Sequence, residues 1–460
     1  MSFPDGFVWG VASAAYQVEG AAMEEGRGPS VWDAFAAKPG AVYGGDTGDI
    51  ACNHFHRYAE DARLIAELGV RAYRLSISWP RVIPDGTGTP NESGLSFYDR
   101  LIDALLHRGV EPWITLYHWD MPLPLFHRGG WLNPESPKWF ADYASLVAER
   151  LGDRVKHWMT INEPQIFLNH GHVEGVHAPG MRYARPDALL ATHHVLMAHG
   201  MATQAIRAKA PSKPSVGWAP VGVCACPASD DPRDIEAARA VTNGVFDRKD
   251  WPINNTWYSE PAIFGHYPED GLQVFGADVP PVRSADMDII CQPLDFYGVN
   301  IYQAGLVSAD ADNQPVHHPR TRGWPHTMHH WPVSPEALYW GPRFIAERYK
   351  LPMYVTENGL ASMDWVHADG RVHDAARIDF LTRYLHALRR AIAEGVDVRG
   401  YFQWSIMDNY EWAQGYRMRF GLVYVDYDTL ERIPKDSYHW YAAAARSNGA
   451  SIPRSLSPLR

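Results

Sequence analysis

Cysteine is scarce. Four thiols (Cys52, Cys224, Cys226, Cys291) in 460 residues are too few for a disulfide scaffold. Cys224 and Cys226 are one residue apart, not the two-residue gap of a zinc knuckle or redox pair, so all four read as plain reduced thiols. No apolar stretch approaches the ~18 residues of a membrane span, and the opening Met1-Ser-Phe-Pro-Asp-Gly-Phe has neither a basic nor an apolar leader segment. These absences predict a soluble, cytoplasmic chain with no membrane contact. Positive charge is also in deficit: 42 Lys and Arg against 53 Asp and Glu leave a formal charge of −11. That balance offers no basic surface for a phosphate backbone, so nucleic acid is not an expected partner. No Gly-rich phosphate-binding turn follows the first apolar run, which leaves a doubly wound nucleotide fold without support.

Aromatic residues, in contrast, are abundant: 12 % of the chain, with 18 Trp. Tryptophan at that frequency exceeds the needs of a core and predicts flat, amphipathic surfaces for a ligand.

Short apolar runs alternate with longer helical patterns along the whole chain. The runs are Phe7–Ala14, Val70–Ser78, Val110–His118, His157–Asn162, Ser215–Val223, Leu294–Tyr302, Pro352–Thr356 and Val398–Trp404. Rich in Val, Ile, Tyr, Phe and Trp and mostly bounded by Gly or Pro, they read as buried parallel strands. Between them, Tyr58, Ala62, Ile65 and Leu68 share one helical face and stop at Gly69; Trp139, Tyr143, Val147 and Leu151 stop at Gly152. Ile378, Leu381, Leu385, Leu388 and Ile392 do the same before Gly395. About eight such strand–helix units with no break in composition predict an α/β chain forming a single (β/α)8 TIM barrel, one domain over residues 1–460. The excess length falls into long loops at the C-terminal face of the strands: Glu19–Asn53, Pro80–Gly94, Trp119–Pro134, Cys224–Asp234, Gln303–Pro335 and Asp408–Glu431.

In such a barrel functional groups stand at the C-terminal ends of the strands. Gln17 follows the first run and Arg74 lies within the second, while His118, Asn162 with Glu163, Asn300 with Tyr302, Glu357 and Trp404 end the third, fourth, sixth, seventh and eighth; the fifth run supplies none. Two of them are carboxylates, Glu163 and Glu357, each beside an Asn and 194 positions apart in sequence. A carboxylate buried at a strand end is costly, and two facing one mouth suit general acid and nucleophile work at an acetal. Arg74, on a neighbouring strand, is placed to keep one of them charged. Trp79, Trp113 and Trp158 are expected in the core.

The residues at this point resemble glycoside hydrolase family 1, the β-glucosidases and their relatives, along essentially the whole chain. The resemblance is carried by Phe3-Pro-Asp-Gly-Phe-Val-Trp-Gly10 with Ala14-Ala-Tyr-Gln-Val-Glu-Gly20, Tyr73-Arg-Leu-Ser-Ile-Ser-Trp-Pro-Arg81 and Thr115-Leu-Tyr-His-Trp-Asp120. Thr160-Ile-Asn-Glu-Pro164, Val355-Thr-Glu-Asn-Gly359 and Trp404-Ser-Ile-Met-Asp-Asn-Tyr-Glu-Trp412 complete it. It implies a cofactor-free, metal-free retaining β-glucosidase acting on a small-molecule β-glycoside, with Glu163 as acid/base and Glu357 as nucleophile. It further implies that Gln17, His118, Asn162, Glu411 and Trp412 bind sugar hydroxyls and that Trp404 floors the ring. Asn300, Tyr302 and Arg74 would flank the nucleophile, Trp119 would sit beside His118, and Trp331 would wall the aglycone side.

Glu411 stands where relatives that take 6-phosphorylated sugars carry Ser, and its charge would repel phosphate; Arg417 and Arg419 are the only nearby cations in that loop. β-Galactosidase or β-fucosidase preference on the same scaffold stays open, as does an inactive sugar-binding barrel. A barrel metallohydrolase lacks its ligand pattern, since the pairs His193-His194, His317-His318 and His329-His330 are adjacent rather than spaced for one strand face. Gln165 takes the place of the Trp common after the Asn-Glu-Pro motif and predicts a polar leaving-group site that accepts short cello-oligosaccharides as well as aryl glycosides. Oligomeric state is left open.

Overall fold

The computed structural model describes residues 2–459. Eight parallel strands run β1 (Val8–Ala12), β2 (Ala72–Ser76), β3 (Glu111–Tyr117), β4 (His157–Asn162), β5 (Ser215–Ala219), β6 (Tyr297–Asn300), β7 (Met353–Asn358) and β8 (Val398–Trp404). Each lies beside its sequence neighbour, and β8 pairs back onto β1. The remaining gap, between β5 and β6, is bridged by backbone hydrogen bonds: Asp295 N–H to Val216 O (2.8 Å), Asn300 N–H to Pro220 O (3.0 Å) and Gly222 N–H to Asn300 O (2.8 Å). A (β/α)8 barrel results, as the alternating pattern predicts.

The outer helices are α1 (His54–Glu67), α2 (Glu92–Leu106), α3 (Ser136–Leu151), α4 (Arg185–Lys209), α5 (Thr256–Phe264), α6 (Ala337–Tyr349), α7 (Ala375–Ala393) and α8 (Asp436–Arg446). Their inward stripes are those the spacing marks: Ala62, Ile65 and Leu68 of the first, and Leu381, Leu385 and Leu388 of the seventh, are fully buried. Gly69 (φ +76°) and Gly395 (φ +97°) turn the chain in left-handed backbone after those helices, where a side chain would be strained. Gly152 (φ −72°) does not share that geometry.

Inside the barrel, Trp113, Met159, Phe296 and Phe402 fill the lumen around small residues such as Ala12, Ala72 and Ala219. Gly10 lies under the Phe402 ring and Gly217 under Phe296, so a methyl at either position would collide with an aromatic side chain. Trp79, Trp113 and Trp158 are all buried as expected, though Trp79 belongs to a short helical turn (Trp79–Val82) and stacks on Tyr143 rather than extending β2.

Above the strands, the long loops are more ordered than their composition predicts. The segment after β5 is not a bare loop: Ala225–Pro227 pairs with Gly305–Ala309, which pairs with Pro315–His318, and a helix over Pro232–Asn243 covers the resulting sheet. Around the loops after β7 and β8, Asp364, Asp374, Asp408, Arg377, Arg419 and Lys435 form one network of ion pairs. Lys435 Nζ lies 2.6 Å from Asp364 and 2.7 Å from Asp408, and Arg377 Nε 2.9 Å from Asp374. Arg377, Lys435 and Asp408 are fully buried, so each depends on the others for compensation of its charge.

Candidate active site

Strand register brings the polar residues to one level. Ala12 pairs with both Arg74 and Trp404, and Glu357 with Asn300. Glu163 follows β4 directly, and its N–H donates to Ala219 O (2.8 Å), pinning it to the top of β5. Pro164 then starts a helix, leaving Glu163 in left-handed backbone (φ +43°). Trp119 (φ +76°), His330 (φ +60°) and Trp412 (φ +50°) share that unusual conformation around the same mouth.

The cavity at this mouth has a volume of about 720 Å³, within the range that holds a drug-sized ligand. Ten of the predicted site residues line it: His118, Trp119, Asn162, Glu163, Tyr302, Trp331, Glu357, Trp404, Glu411 and Trp412. Gln17, Arg74 and Asn300 stand directly behind, each buried and bonded to a lining residue.

One hydrogen-bond network joins the two carboxylates. Arg74 NH1 reaches Glu357 Oε1 (2.5 Å), and NH2 reaches Asn162 Oδ1 (2.7 Å). Asn300 Nδ2 donates to Asn162 Oδ1 (3.0 Å) and to Glu163 Oε1 (2.9 Å), while Thr356 Oγ1 donates to Asn300 Oδ1 (2.7 Å) and fixes its orientation. Tyr302 OH donates to Glu357 Oε2 (2.7 Å). The two acids therefore differ in their partners. Burial, then the facing Glu357 charge, push Glu163 well above the usual carboxylate range, opposed by the Asn300 amide and by Arg74. Burial lifts Glu357 too, but the Arg74 guanidinium and the Tyr302 hydroxyl both favour its ionised form. Of the pair, Glu163 is the one equipped to hold a proton and Glu357 the one equipped to hold a charge.

Around them stand the ligand-facing groups. Burial and the nearby Arg74 charge hold His118 well below its ordinary range, so the ring is neutral; Asn162 Nδ2 donates to its Nε2 (3.2 Å), which leaves the ring proton on Nδ1 without a protein acceptor. Gln17 Nε2 is held by Tyr410 O (2.9 Å) and Asn409 Oδ1 (3.1 Å) near Glu411 Oε2 (3.4 Å), and its Oε1 has no partner among the described residues. Buried polar atoms are rarely left unpaired, and here they cluster where a polyhydroxylated ligand would meet them. Trp412, Trp119 and Trp32 form a continuous aromatic shelf with centroids 4.6 Å apart at each step, and Trp404 lies parallel to His118. Apolar faces between hydrogen-bonding edges match the two surfaces of a pyranose ring.

One expectation changes. Gln165 does not face the cavity: fully buried, it donates to Val221 O (3.2 Å) and Asn254 O (3.3 Å) and accepts from Val221 N–H (3.3 Å), clamping the loop after β5. Its neighbour Ile166 takes the cavity wall, joined by Val176, Val221 and Val223, so the outer half is more apolar than the sequence predicts. Arg417 and Arg419 are also turned away. Arg417 lies over the Tyr43 ring beside Gln414, and Arg419 is spent on Asp408 (2.7 Å), so neither lines the cavity.

Sequence reading missed His329, which lies in the cavity 3.5 Å from Glu411 Oε1 and stacks on Trp331 with centroids 4.5 Å apart. Its ring turns in beside Trp331 through a turn at Met328–His329 and left-handed His330 (φ +60°), so no alternation along the chain marks it in the sequence. Phe420, His170 and His177 also line the wall from loops whose approach no local pattern encodes. Among the described residues, no group of three or more His, Cys, Asp or Glu side chains is placed to hold a metal ion, and no helix is long and apolar enough to cross a membrane.

Comparison with known proteins agrees with this geometry. The family model for glycosyl hydrolase family 1 matches residues 1–450. β-Glucosidase A of Thermotoga maritima is 44 % identical over 453 residues, covering 97 % of this chain and 98 % of the relative. The 1,4-β-D-glucan glucohydrolase of Thermotoga neapolitana is 42 % identical over 456 residues, covering 97 % and 99 %. The solved structure of the family 1 β-glucosidase from Thermotoga maritima superposes with a TM-score of 0.88 over 98 % of this chain and 99 % of that one, at 44 % identity. By fold, by site and by this full-length likeness, the chain belongs to glycosyl hydrolase family 1.

Proposed function

We propose that the chain hydrolyses terminal non-reducing β-D-glucosyl residues of β-glucosides and short cello-oligosaccharides by a retaining double displacement. Glu357 attacks the anomeric carbon while Glu163 gives its proton to the departing glycosidic oxygen. The glycosyl ester on Glu357 is then hydrolysed by a water whose proton returns to Glu163. The observation that carries this reading is the unequal support of two carboxylates in one cavity: a cation and a phenol for Glu357, a neutral amide for Glu163. Such an environment separates acid from nucleophile.

Trp404 serves as the sugar platform, with Gln17, His118, Asn162, Glu411 and Trp412 addressing the hydroxyls. Trp331 and the apolar outer wall favour aromatic leaving groups, and cellobiose is the weaker substrate. The outward turn of Arg417 and Arg419, together with the charge of Glu411, favours unphosphorylated sugars. Residues 1–460 act as one catalytic domain, without cofactor. Four unpaired thiols, three of them buried, fit a reducing cytoplasm and a role late in cellulose breakdown, on oligosaccharides already small.

NMR of the first-formed sugar tests the mechanism: the β-anomer is expected, and the α-anomer as first product excludes it. A panel of aryl glycosides tests the sugar, with glucoside expected first and galactoside or fucoside slower. No detectable turnover of cellobiose would remove the oligosaccharide part of the reading.

A further inference from the structure

His329 has no role in the scheme above. Its Nε2 is buried and without a hydrogen-bond partner among the described residues, although it points at Glu411 Oε1 from 3.5 Å. The ring is held in place on two sides, parallel to Trp331 (4.5 Å, 12°) and 5.7 Å from Phe420. Glu411 presents its other oxygen, Oε2, to Gln17. Its two oxygens thus face different neighbours: an amide donor behind the cavity lining and an imidazole on the cavity wall.

A carboxylate accepts hydrogen bonds only, whereas an imidazole N–H donates. A single hydroxyl set between Oε1 and Nε2 would satisfy both, giving its proton to the carboxylate and accepting one from the ring. We propose that His329 and Glu411 form a donor–acceptor clasp that reads one hydroxyl of the non-reducing sugar. This rests on the β-glycosidase reading above.

The wall identifies the edge of the sugar involved. From Glu357 it runs through Tyr302 to Trp331 (5.2 Å between ring centroids), on to His329 (4.5 Å) and finally to Glu411. Two ring-to-ring steps therefore separate the clasp from the carboxylate at the reacting carbon. The hydroxyl it meets lies on the far edge of the pyranose, at position 4 or on the exocyclic carbon, not at position 3.

The experiment measures kcat/KM for 4-nitrophenyl β-glucoside and its 3-, 4- and 6-deoxy analogues, using the unmodified protein, His329→Phe and His329→Gln. Phenylalanine keeps the stack on Trp331 but removes the donor; glutamine keeps a donor. His329→Phe is expected to lose about tenfold on the parent glucoside and on the 3-deoxy analogue. On either the 4- or the 6-deoxy analogue the loss should shrink to about twofold or less, because the partner hydroxyl is already gone. His329→Gln should recover most of the parent rate. An equal loss on all four substrates, or a His329→Phe rate equal to the unmodified one, overturns the clasp. If His329→Phe fails to fold, His329→Leu, which also lacks the donor, takes its place in the same comparison, and an equal loss on all four substrates overturns the clasp. If the unmodified protein leaves the parent glucoside intact, the β-glycosidase reading itself has failed.

Discussion

Asn300 and Glu163 are joined by one hydrogen bond of 2.9 Å, and among the described residues no other reaches the Glu163 carboxylate. The amide favours the ionised acid, against burial and the Glu357 charge, which favour the protonated one. Asn300→Ala should therefore raise the pKa of Glu163 further. Because the acid works while protonated, the alkaline limb of kcat/KM should move to higher pH by roughly one unit. A pH–rate profile on an aryl glucoside checks this, and a limb displaced downward contradicts the assignment.

Tyr302 acts on the other acid with the opposite consequence for the profile. Its hydroxyl favours ionised Glu357, so Tyr302→Phe raises the pKa of the nucleophile. Activity falls as pH drops through that value, so the acid limb should move up by roughly one unit, with kcat lowered about 10–100-fold. Burial and the adjacent Glu357 hold the Tyr302 phenol well above its ordinary range, so it remains a neutral donor across the profile.

Removing either carboxylate separates the two chemical roles. Glu357→Ala should reduce kcat by ~10⁴-fold or more, with azide or formate restoring turnover and giving a product of inverted configuration. Glu163→Ala should spare the first step on substrates with good leaving groups and abolish it on alkyl glucosides. Equal loss on both substrate types would contradict an acid role.

The buried network under the β7 and β8 loops sets a stability prediction. Lys435→Met leaves Asp364 and Asp408 short of a cation, at an expected cost of about 3–5 kcal/mol. Burial would lift Asp364, but Arg377 and Lys435 hold it far below the usual carboxylate range. Its stabilisation is complete above the unfolded value of about 3.9 and fades as pH falls through the lower folded value. Thermal unfolding between about pH 4 and pH 2 should thus fall less steeply in the Lys435→Met variant than in the unmodified protein. Parallel losses would show that the pair carries little of the linkage.

The close approach of Gly359 to the Trp404 carbonyl leaves no room for a methyl group. Gly359→Ala should push β7 and β8 apart beside both Glu357 and Trp404, lowering kcat/KM more than it lowers the melting temperature. Activity and thermal melts on one preparation test that ratio.

Much of this site was legible because strand ends are positions with fixed geometry. Glu163, Glu357, Asn300 and Tyr302 could be placed from run boundaries alone, since a parallel strand of a barrel delivers its last residues to one face, whereas Arg74 lies within its run and was marked by its charge. What sequence could not supply was the direction of side chains in the loops above. Gln165 was read as facing the leaving group, yet the helix begun by Pro164 turns it onto the backbone of the next loop and gives its place to Ile166. His329 was visible only as one of three histidine pairs, and its meaning depends on Glu411, 82 positions later, across two loops. The segment after β5 read as loop because its strand is three residues long and finds its partner at Gly305–Ala309.

The left-handed backbone at Glu163 carries one more implication. A glutamate held there is strained relative to glycine by ~1 kcal/mol or more, and its acid group is buried beside the Glu357 charge. The molecule would be at ease without it. Heat-resistance screens would therefore pass, or even reward, a chain that has lost this side chain, and only a measurement of turnover would expose the damage.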